Sequence, residues 1–373
     1  MSDTAKQNFA LFFTRGLSLE RWNRIGMFER EVALYRLTAS TFNTVYFFTY
    51  GNKKDLSYTS LLPSNVVIVP KPTYISAVLY SFILPFIHAK KLRTVHLMKT
   101  NQMDGSWSAV IAKKLYGAKL IVRCGYEWLQ FIEQSKRSWM KRTFAYCVER
   151  FAYRNAHKIV VTSGGARDFI VERFAIAPST ISIIPNYVDT DLFTPIQLPK
   201  KAKQIITIGR LEPQKNLSAL LDAMIGIDAT LVVVGEGSQH AVLATFAKLH
   251  NLSVVFTGNL SQKDIVTQLN ASELFILPSL YEGHPKTLLE AMAVGLPCIG
   301  SDIPGINDTI VDSVNGILCG VDSFSIRSTL EKLLGDDALR AKLAEEARKT
   351  ALEIYSLHAV VKAELALYHS LVS

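Results

Sequence analysis

The sequence predicts an α/β protein built from two successive open, parallel sheets. Short apolar runs alternate with longer amphipathic segments along nearly the whole chain, the pattern of β-α-β units. Residues 183–203, IIPNYVDTDLFTPIQLPKKAK, interrupt that alternation with three Pro and a Lys cluster, and read as a linker between two halves. The chain has 373 residues, 49% of them apolar, enough for two to three domains without a disulfide or metal staple.

The elements follow in order. In the first half, β-branched and aromatic runs bounded by turn residues predict strands at 10–14, 45–48, 66–69, 95–99, 120–123 and 159–162. Helical periodicity predicts helices at 27–41, 74–92, 107–115 and 139–155. In the second half the strands are 204–208, 230–234, 254–257, 274–277 and 298–300. They alternate with helices near 218–225, 239–249, 263–269, 287–293 and 325–334. Open α/β sheets bind ligands beyond the carboxyl ends of their strands, so the expected site is the cleft between two such sheets.

Charge is distributed unevenly. Residues 1–195 hold 26 Lys/Arg against 13 Asp/Glu, whereas the remainder is mildly acidic; the whole chain is +9. A basic half points to an anionic partner: nucleic acid, a lipid surface or a phosphorylated substrate. The alternative is a soluble domain that is merely basic. The four Cys (124, 147, 298 and 319) lie far apart, which suits a reducing compartment. The polar start MSDTAKQNFA carries no secretory signal pattern. The longest apolar stretch, Tyr74–Ala89, has 16 residues including Pro85 and His88, short of a spanning helix. It reads as a buried or surface-packed helix. A shallow membrane contact stays open, because Lys90, Lys91 and Arg93 follow at once.

Several chemistries lack their motif. There is no P-loop, no G-x-S-x-G elbow and no zinc spacing among the eight His, and Gly235-Glu236-Gly237 lacks the third glycine of a dinucleotide fingerprint. Asp189-Thr190-Asp191 has the spacing of a cation-binding D-x-D but reads as turn chemistry and helix capping.

The chemistry concentrates in two segments. In LFILPSLYEGHPKTLLEAMAVGLP (274–297), a buried strand ends in a loop that feeds a helix opened by Pro285 near its first turn and stopped by Gly295 and Pro297. Glu290 lies among Leu288, Leu289, Ala291, Met292 and Ala293, so it is expected to be buried and to need a partner. That partner is either Lys286, four residues earlier, or the hydroxyls of a ligand such as a ribose. Gly283 admits a ligand close to the backbone, and the helix N-terminus suits a diphosphate. In ITIGRLEPQKN (206–216), a strand delivers Gly209 and Arg210 to its end, with Lys215 five residues on. Two cations there suit a diphosphate; the alternative is two solvated surface charges.

These motifs resemble the retaining glycosyltransferases of family 4. E-G-x-P-x-x-L-L-E-A-M-A-x-G-x-P resembles their donor signature, I-G-R-L-x-x-x-K-N their diphosphate segment, and VVVGEG and FTG two further strand ends; IIPNYVD resembles their interdomain segment. The resemblance is specific over residues 160–355 and loose before them. It implies the GT-B fold: two facing Rossmann-like domains, here 1–190 on the acceptor side and 191–355 on the donor side. A C-terminal helix, 356–373, would cross back onto the first. It implies that Arg210 and Lys215 hold the donor diphosphate and that Glu282 contacts the transferred sugar. Glu290 would bind the ribose; Gly283 and the backbone of His284, Pro285, Lys286, Thr287 and Leu288 would border the diphosphate; Gly209, Gly235, Glu236 and Gly237 would lie near the nucleotide. On the acceptor side it implies Gly16 and Gly26, with Asn101, Arg123, Tyr126 and Glu127 as further candidates.

The strand LIVRCGYEW lacks the His that many members carry at its end, so no catalytic base is identified. No cofactor and no obligatory metal are expected. The expected partners are a nucleotide sugar, a glycan or lipid-linked acceptor and an anionic membrane surface, but not nucleic acid. The membrane expectation rests on the basic, aromatic-interleaved stretch Lys136–Lys158, whose alternative is a solvated basic face. The expected location is cytoplasmic, peripheral at the inner face of the membrane, in lipopolysaccharide or other envelope glycan synthesis. Two alternatives remain at this point: a GT-B nucleotide-sugar epimerase or hydrolase, and a non-catalytic basic binding module.

Overall fold

A computed structural model describes residues 7–125, 128–134, 139–197 and 201–372. The chain divides into two compact units, residues 1–184 with 361–373, and residues 185–360.

The first unit holds a seven-stranded parallel sheet: β1 (Phe9–Phe12), β2 (Val45–Phe48), β3 (Val66–Val69), β4 (Leu97–Thr100), β5 (Lys119–Cys124), β6 (Lys158–Val161) and β7 (Ile181–Ile183). The strand order is β3-β2-β1-β4-β5-β6-β7. The second unit holds a six-stranded parallel sheet: β8 (Gln204–Ile208), β9 (Thr230–Val234), β10 (Val254–Gly258), β11 (Leu274–Leu277), β12 (Cys298–Ser301) and β13 (Ile317–Cys319). Its order is β10-β9-β8-β11-β12-β13. Both sheets are therefore α/β and doubly wound, with the order reversing between β1 and β4 in one and between β8 and β11 in the other.

The strands are buried on both faces because helices cover both sides, which is why they read as continuous apolar runs. In the second unit one core packs Ile206, Ile208, Val232 and Phe275 against the helix Lys286–Ala293. The other packs Ile205, Leu231, Val233 and Ile276 against the helices Leu217–Ala223 and Ser323–Leu334.

Three expectations change. The segment read as a linker is packed into the second unit: Val188 and Phe193 are core residues, Val188 N donates to Tyr355 O at 2.9 Å, and Arg348 donates to Phe193 O at 2.9 Å. Its aperiodicity reflects turns held by long-range bonds rather than exposure. Ile183 itself ends β7. The helix expected over 74–92 is two, Ala77–Ile87 and Ala89–Leu92; of the two placements open for it, it is packed on the surface with its outer face exposed. The helices Leu19–Arg24, Gly164–Phe174 and Asp337–Thr350 join the expected set.

His88 separates the two short helices. Its ring packs 5.4 Å from Phe48 and 5.9 Å from Tyr80, and Nε2 lies 3.1 Å from the Tyr80 hydroxyl. Burial, then the Lys91 charge, lowers its pKa to about 4. Between about pH 6.5 and 4 the unfolded chain binds a proton that the folded one refuses, so stability falls as pH drops through that window. The loss should be up to about 2 kcal/mol, discounted for partial exposure. Urea midpoints at pH 7, 5.5 and 4 measure it; His88→Asn should flatten that part of the profile, and an unchanged slope would refute the assignment.

Candidate functional site

The second unit presents its strand ends at the reversal between β8 and β11, where open α/β sheets bind ligands. After β8 the chain runs through Gly209 and exposed Arg210 to Lys215; after β11 it runs through Ser279 and Glu282 to the helix Lys286–Ala293. Two bonds stitch these loops together: Leu280 N donates to Gln214 O, and Gln214 Nε2 donates to Tyr281 O, both at 2.8 Å.

Across that seam Lys215 Nζ donates to Glu282 Oε1, and the pair is largely buried, 13% and 9% exposed. Ser279 Oγ donates to the same oxygen at 2.7 Å. The carboxylate is thus fixed by a hydroxyl and a cation, with Lys215 held at the strand end instead of in solvent. The sequence assigns the two residues separately; the fold joins them. Gly209 explains how Lys215 fits, since a Cβ there would lie 2.9 Å from Lys215 Cε.

The next strand end adds a backbone floor. Gly235, at φ +128°, donates its N–H to Gly258 O at 2.8 Å, and Gly209 N donates to Val234 O at 3.0 Å. A side chain at Gly235 would collide with Gly209 O, and one at Gly237 with the Leu211 backbone. Both glycines are needed because two strand-end backbones touch. Glu236 is exposed beside them, its Oε1 3.5 Å from the place a Gly258 Cβ would take.

The helix Lys286–Ala293 starts at Pro285, which occupies the N-cap position rather than the first turn and provides no side-chain cap. The beginning of the helix is therefore suited to a bound anion. Glu290, 4% exposed, lies one turn further in, between Leu289 and Ala291 of the core. Leu288 is in the core as well, Thr287 is half-buried, and Lys286 Nζ lies 5.8 Å from the centre of the Tyr187 ring. His284 is buried with its ring 5.5 Å from Tyr355, and its carbonyl accepts from Asn186 Nδ2 at 2.8 Å.

Three contributors escape sequence reading. Asn186 holds the His284 carbonyl from a segment read as linker. Ser279 orients Glu282. Gly305, at φ +87°, lies so close to the Glu282–Gly283 backbone that any side chain would strike Gly283 O. Its Pro304-Gly305 turn was the only local sign. Asp189 accepts from the N–H groups of Asp191 (3.1 Å) and Leu192 (3.2 Å), so D-x-D acts as a turn here.

The acceptor-side candidates lie in the first unit. Gly16, at φ +79°, follows β1, next to Arg15, which pairs with Asp104 beyond β4 at 2.9 Å. Asn101 is buried at the end of β4, its N–H on Phe12 O at 2.8 Å. These two flank the reversal between β1 and β4. Arg123 is half-buried in β5, its N–H on Thr100 Oγ1 at 3.0 Å. Gly26, at φ +69°, is the turn between the helix Leu19–Arg24 and the first long helix, Phe28–Thr38. Tyr126 and Glu127 lie outside the described residues, as do Lys136 and Arg137 of the basic stretch.

A doubly wound parallel sheet with loops gathered at its reversal point is the class of α/β domain that binds ligands at its strand ends. Two family models match in succession: "Glycosyltransferase Family 4" over residues 36–192 and "Glycosyl transferases group 1" over 189–350. Together they span most of the chain, and the chain belongs to this glycosyltransferase family. It is 29% identical over 249 residues to a UDP-Gal:α-D-GlcNAc-diphosphoundecaprenol α-1,3-galactosyltransferase of Escherichia coli, covering 60% of this chain and 64% of that protein. It is 25% identical over 233 residues to a glycogen synthase of Mycobacterium tuberculosis, covering 60% and 56%. The matches thus span less than two thirds of those relatives' own length. Among solved structures, the fold is similar to a sucrose-phosphate synthase from Thermosynechococcus elongatus, with TM-score 0.78, 21% identity and coverage of 98% and 99%. It is also similar to Anabaena HepE in complex with UDP and glucose, with TM-score 0.76, 16% identity and coverage of 97% and 99%. The architecture is GT-B.

Proposed function

We propose that this chain is a retaining glycosyltransferase that moves a sugar from a nucleoside-diphosphate donor to a glycan or lipid-linked acceptor. The process is cell-envelope polysaccharide or glycolipid synthesis. The observation that carries the reading is the Lys215–Glu282 pair beside Arg210 and ahead of the Glu290 helix, all at the reversal point of one sheet. The E. coli relative, whose name specifies a UDP-sugar and a diphosphoundecaprenol-linked acceptor, supports the donor and acceptor classes.

Arg210 and Lys215 neutralise the donor diphosphate and the charge that grows on it as the sugar leaves, and an additional metal is not required for that role. Glu282, fixed by Ser279 and Lys215, accepts hydrogen bonds from the transferred sugar. Glu290 accepts hydrogen bonds from the ribose hydroxyls. With retention, the bond from the anomeric carbon to the phosphate oxygen breaks as the bond to the acceptor oxygen forms on the same face. The acceptor proton passes to the departing diphosphate oxygen, so no side-chain base is needed. The protein works in the cytoplasm, peripherally on the membrane that carries its acceptor.

Calorimetric titration of nucleoside diphosphates and their sugars tests the site. The wild type should bind one nucleotide family, and Glu290→Gln should weaken it about tenfold or more, as loss of a charged hydrogen-bond acceptor requires. Equal affinity in the variant would remove Glu290 from the site. Salt-dependent oligonucleotide binding with no nucleotide binding would overturn the whole reading.

A further inference from the structure

The first unit carries an exposed apolar face that its fold leaves uncovered. The helix Ala77–Ile87 buries Tyr80, Ser81, Leu84 and Pro85. That inner face is locked to the neighbouring helix Ser106–Tyr116: Trp107 Nε1 donates to Ser81 Oγ at 3.1 Å, and Tyr116 Oη donates to Pro85 O at 2.8 Å. The outer face holds Val78, Phe82 and Phe86 at four-residue spacing, with Leu79 beside them; all four are at least half exposed. The face continues sideways. Phe82 stacks on Trp107 at 5.7 Å, and Trp107 meets Phe144 of the helix Trp139–Asn155 at 6.4 Å. That helix adds Trp139, 72% exposed, and Met140, 62% exposed. Phe82 and Phe144 are thus joined beneath the surface by the buried Trp107.

The charges flanking the apolar helix are basic; at the far end Glu133 lines a pocket with Trp139, paired with Arg142 and Arg173. From residue 56 to 126 the sequence holds nine Lys/Arg and a single acid, Asp104, which is occupied by Arg15. Lys90, Lys91 and Arg93 stand at the end of the apolar helix, and Lys114 Nζ lies 5.3 Å from the Phe151 ring on the same side. An apolar stripe with aromatic rings and Lys90, Lys91 and Arg93 at its end suits the headgroup region of an anionic bilayer. Among the described residues no helix is long and apolar enough to cross a membrane, so contact would be in the plane of the surface.

We infer that the outer face of the helix Ala77–Ile87, continued by Trp139, Met140 and Phe144, docks this protein onto anionic phospholipid. The inference refines the proposed membrane location by shifting the anchor from the basic stretch 136–158 to an apolar helix that precedes it. It rests on the glycosyltransferase reading only for its purpose, since docking needs no catalysis.

Sedimentation with vesicles of phosphatidylglycerol and phosphatidylcholine, without donor or acceptor, tests it. The full chain should pellet with vesicles at low salt and not with phosphatidylcholine alone. Phe82→Ser with Phe86→Ser should weaken binding at least tenfold at every salt concentration, and Lys90→Glu with Lys91→Glu at least tenfold at low salt. Phe324→Ser, a more exposed aromatic of the other unit, should leave it unchanged. Brominated lipid should quench Trp139 fluorescence, a component that Trp139→Phe removes. Nucleotide titration of the Phe82 and Phe86 variant should match wild type, which separates the two readings and shows the fold intact. No pelleting at low salt, pelleting insensitive to both pairs, or concentration-dependent self-association abolished by the Phe pair would overturn the proposal, the last by naming a second copy as the occupant.

Discussion

Lys215→Ala should reduce kcat/KM for sugar transfer by about 10²–10³, the effect of deleting one preorganised charge that meets a developing anion. The loss should appear mainly in kcat, because leaving-group charge grows toward the transition state. The same change should lower stability, since Glu282 would lose its cation while still largely buried and would keep only Ser279. The two consequences can be separated. In the Lys215→Ala background, Glu282→Gln removes the stranded charge and should recover much of the melting temperature, but none of the activity. Parallel recovery of both would show that Lys215 is a structural partner of Glu282 and nothing more.

The largest stability effect is expected in the first unit. Lys99 of β4 is fully buried and donates to Glu364 of the helix Leu357–Val372, which is 1% exposed, and to Tyr368 Oη at 3.1 Å. Burial, only partly offset by Glu364, lowers the Lys99 pKa to about 8. Lys99→Met should cost about 3–5 kcal/mol, because it leaves the buried Glu364 carboxylate without its cation. Lys99→Met with Glu364→Leu should return to within about 2 kcal/mol of wild type, since apolar replacements remove both desolvation penalties. Urea denaturation read at fixed pH decides it, and a double variant no better than the single would show that the carboxylate is not the source of the loss.

These two pairs mark where the sequence was readable and where it was not. The donor loop was legible because its signals are local: a buried strand, a glycine, a helix start and two acids fall within 24 residues, Leu274–Pro297. Most strands were legible for the same reason, with Val45–Phe48, Gln204–Ile208 and Leu274–Leu277 found at their observed ends. The three-residue strands β7 and β13 were not, because three residues carry no periodicity. Lys215 and Glu282 were each singled out, but their pairing joins positions 67 apart; that of Lys99 and Glu364 joins positions 265 apart. Such contacts are set by strand order, which no local pattern encodes. The apolar helix Ala77–Ile87 was legible as a helix either buried or packed on the surface, and only the fold decides between the two: its partner helix covers the Tyr80–Leu84 side, so Phe82 and Phe86 face solvent.

The proposed function places a nucleoside diphosphate sugar at the strand ends of the second unit. Hydrogen–deuterium exchange of the wild-type chain, with and without the nucleoside diphosphate that stabilises it most, reads this directly. Protection should be concentrated in three segments: Gly209–Lys215, Gly235–Gly237 and Glu282–Glu290. Protection absent from all three, or placed instead on the basic helix Trp139–Asn155, would contradict it.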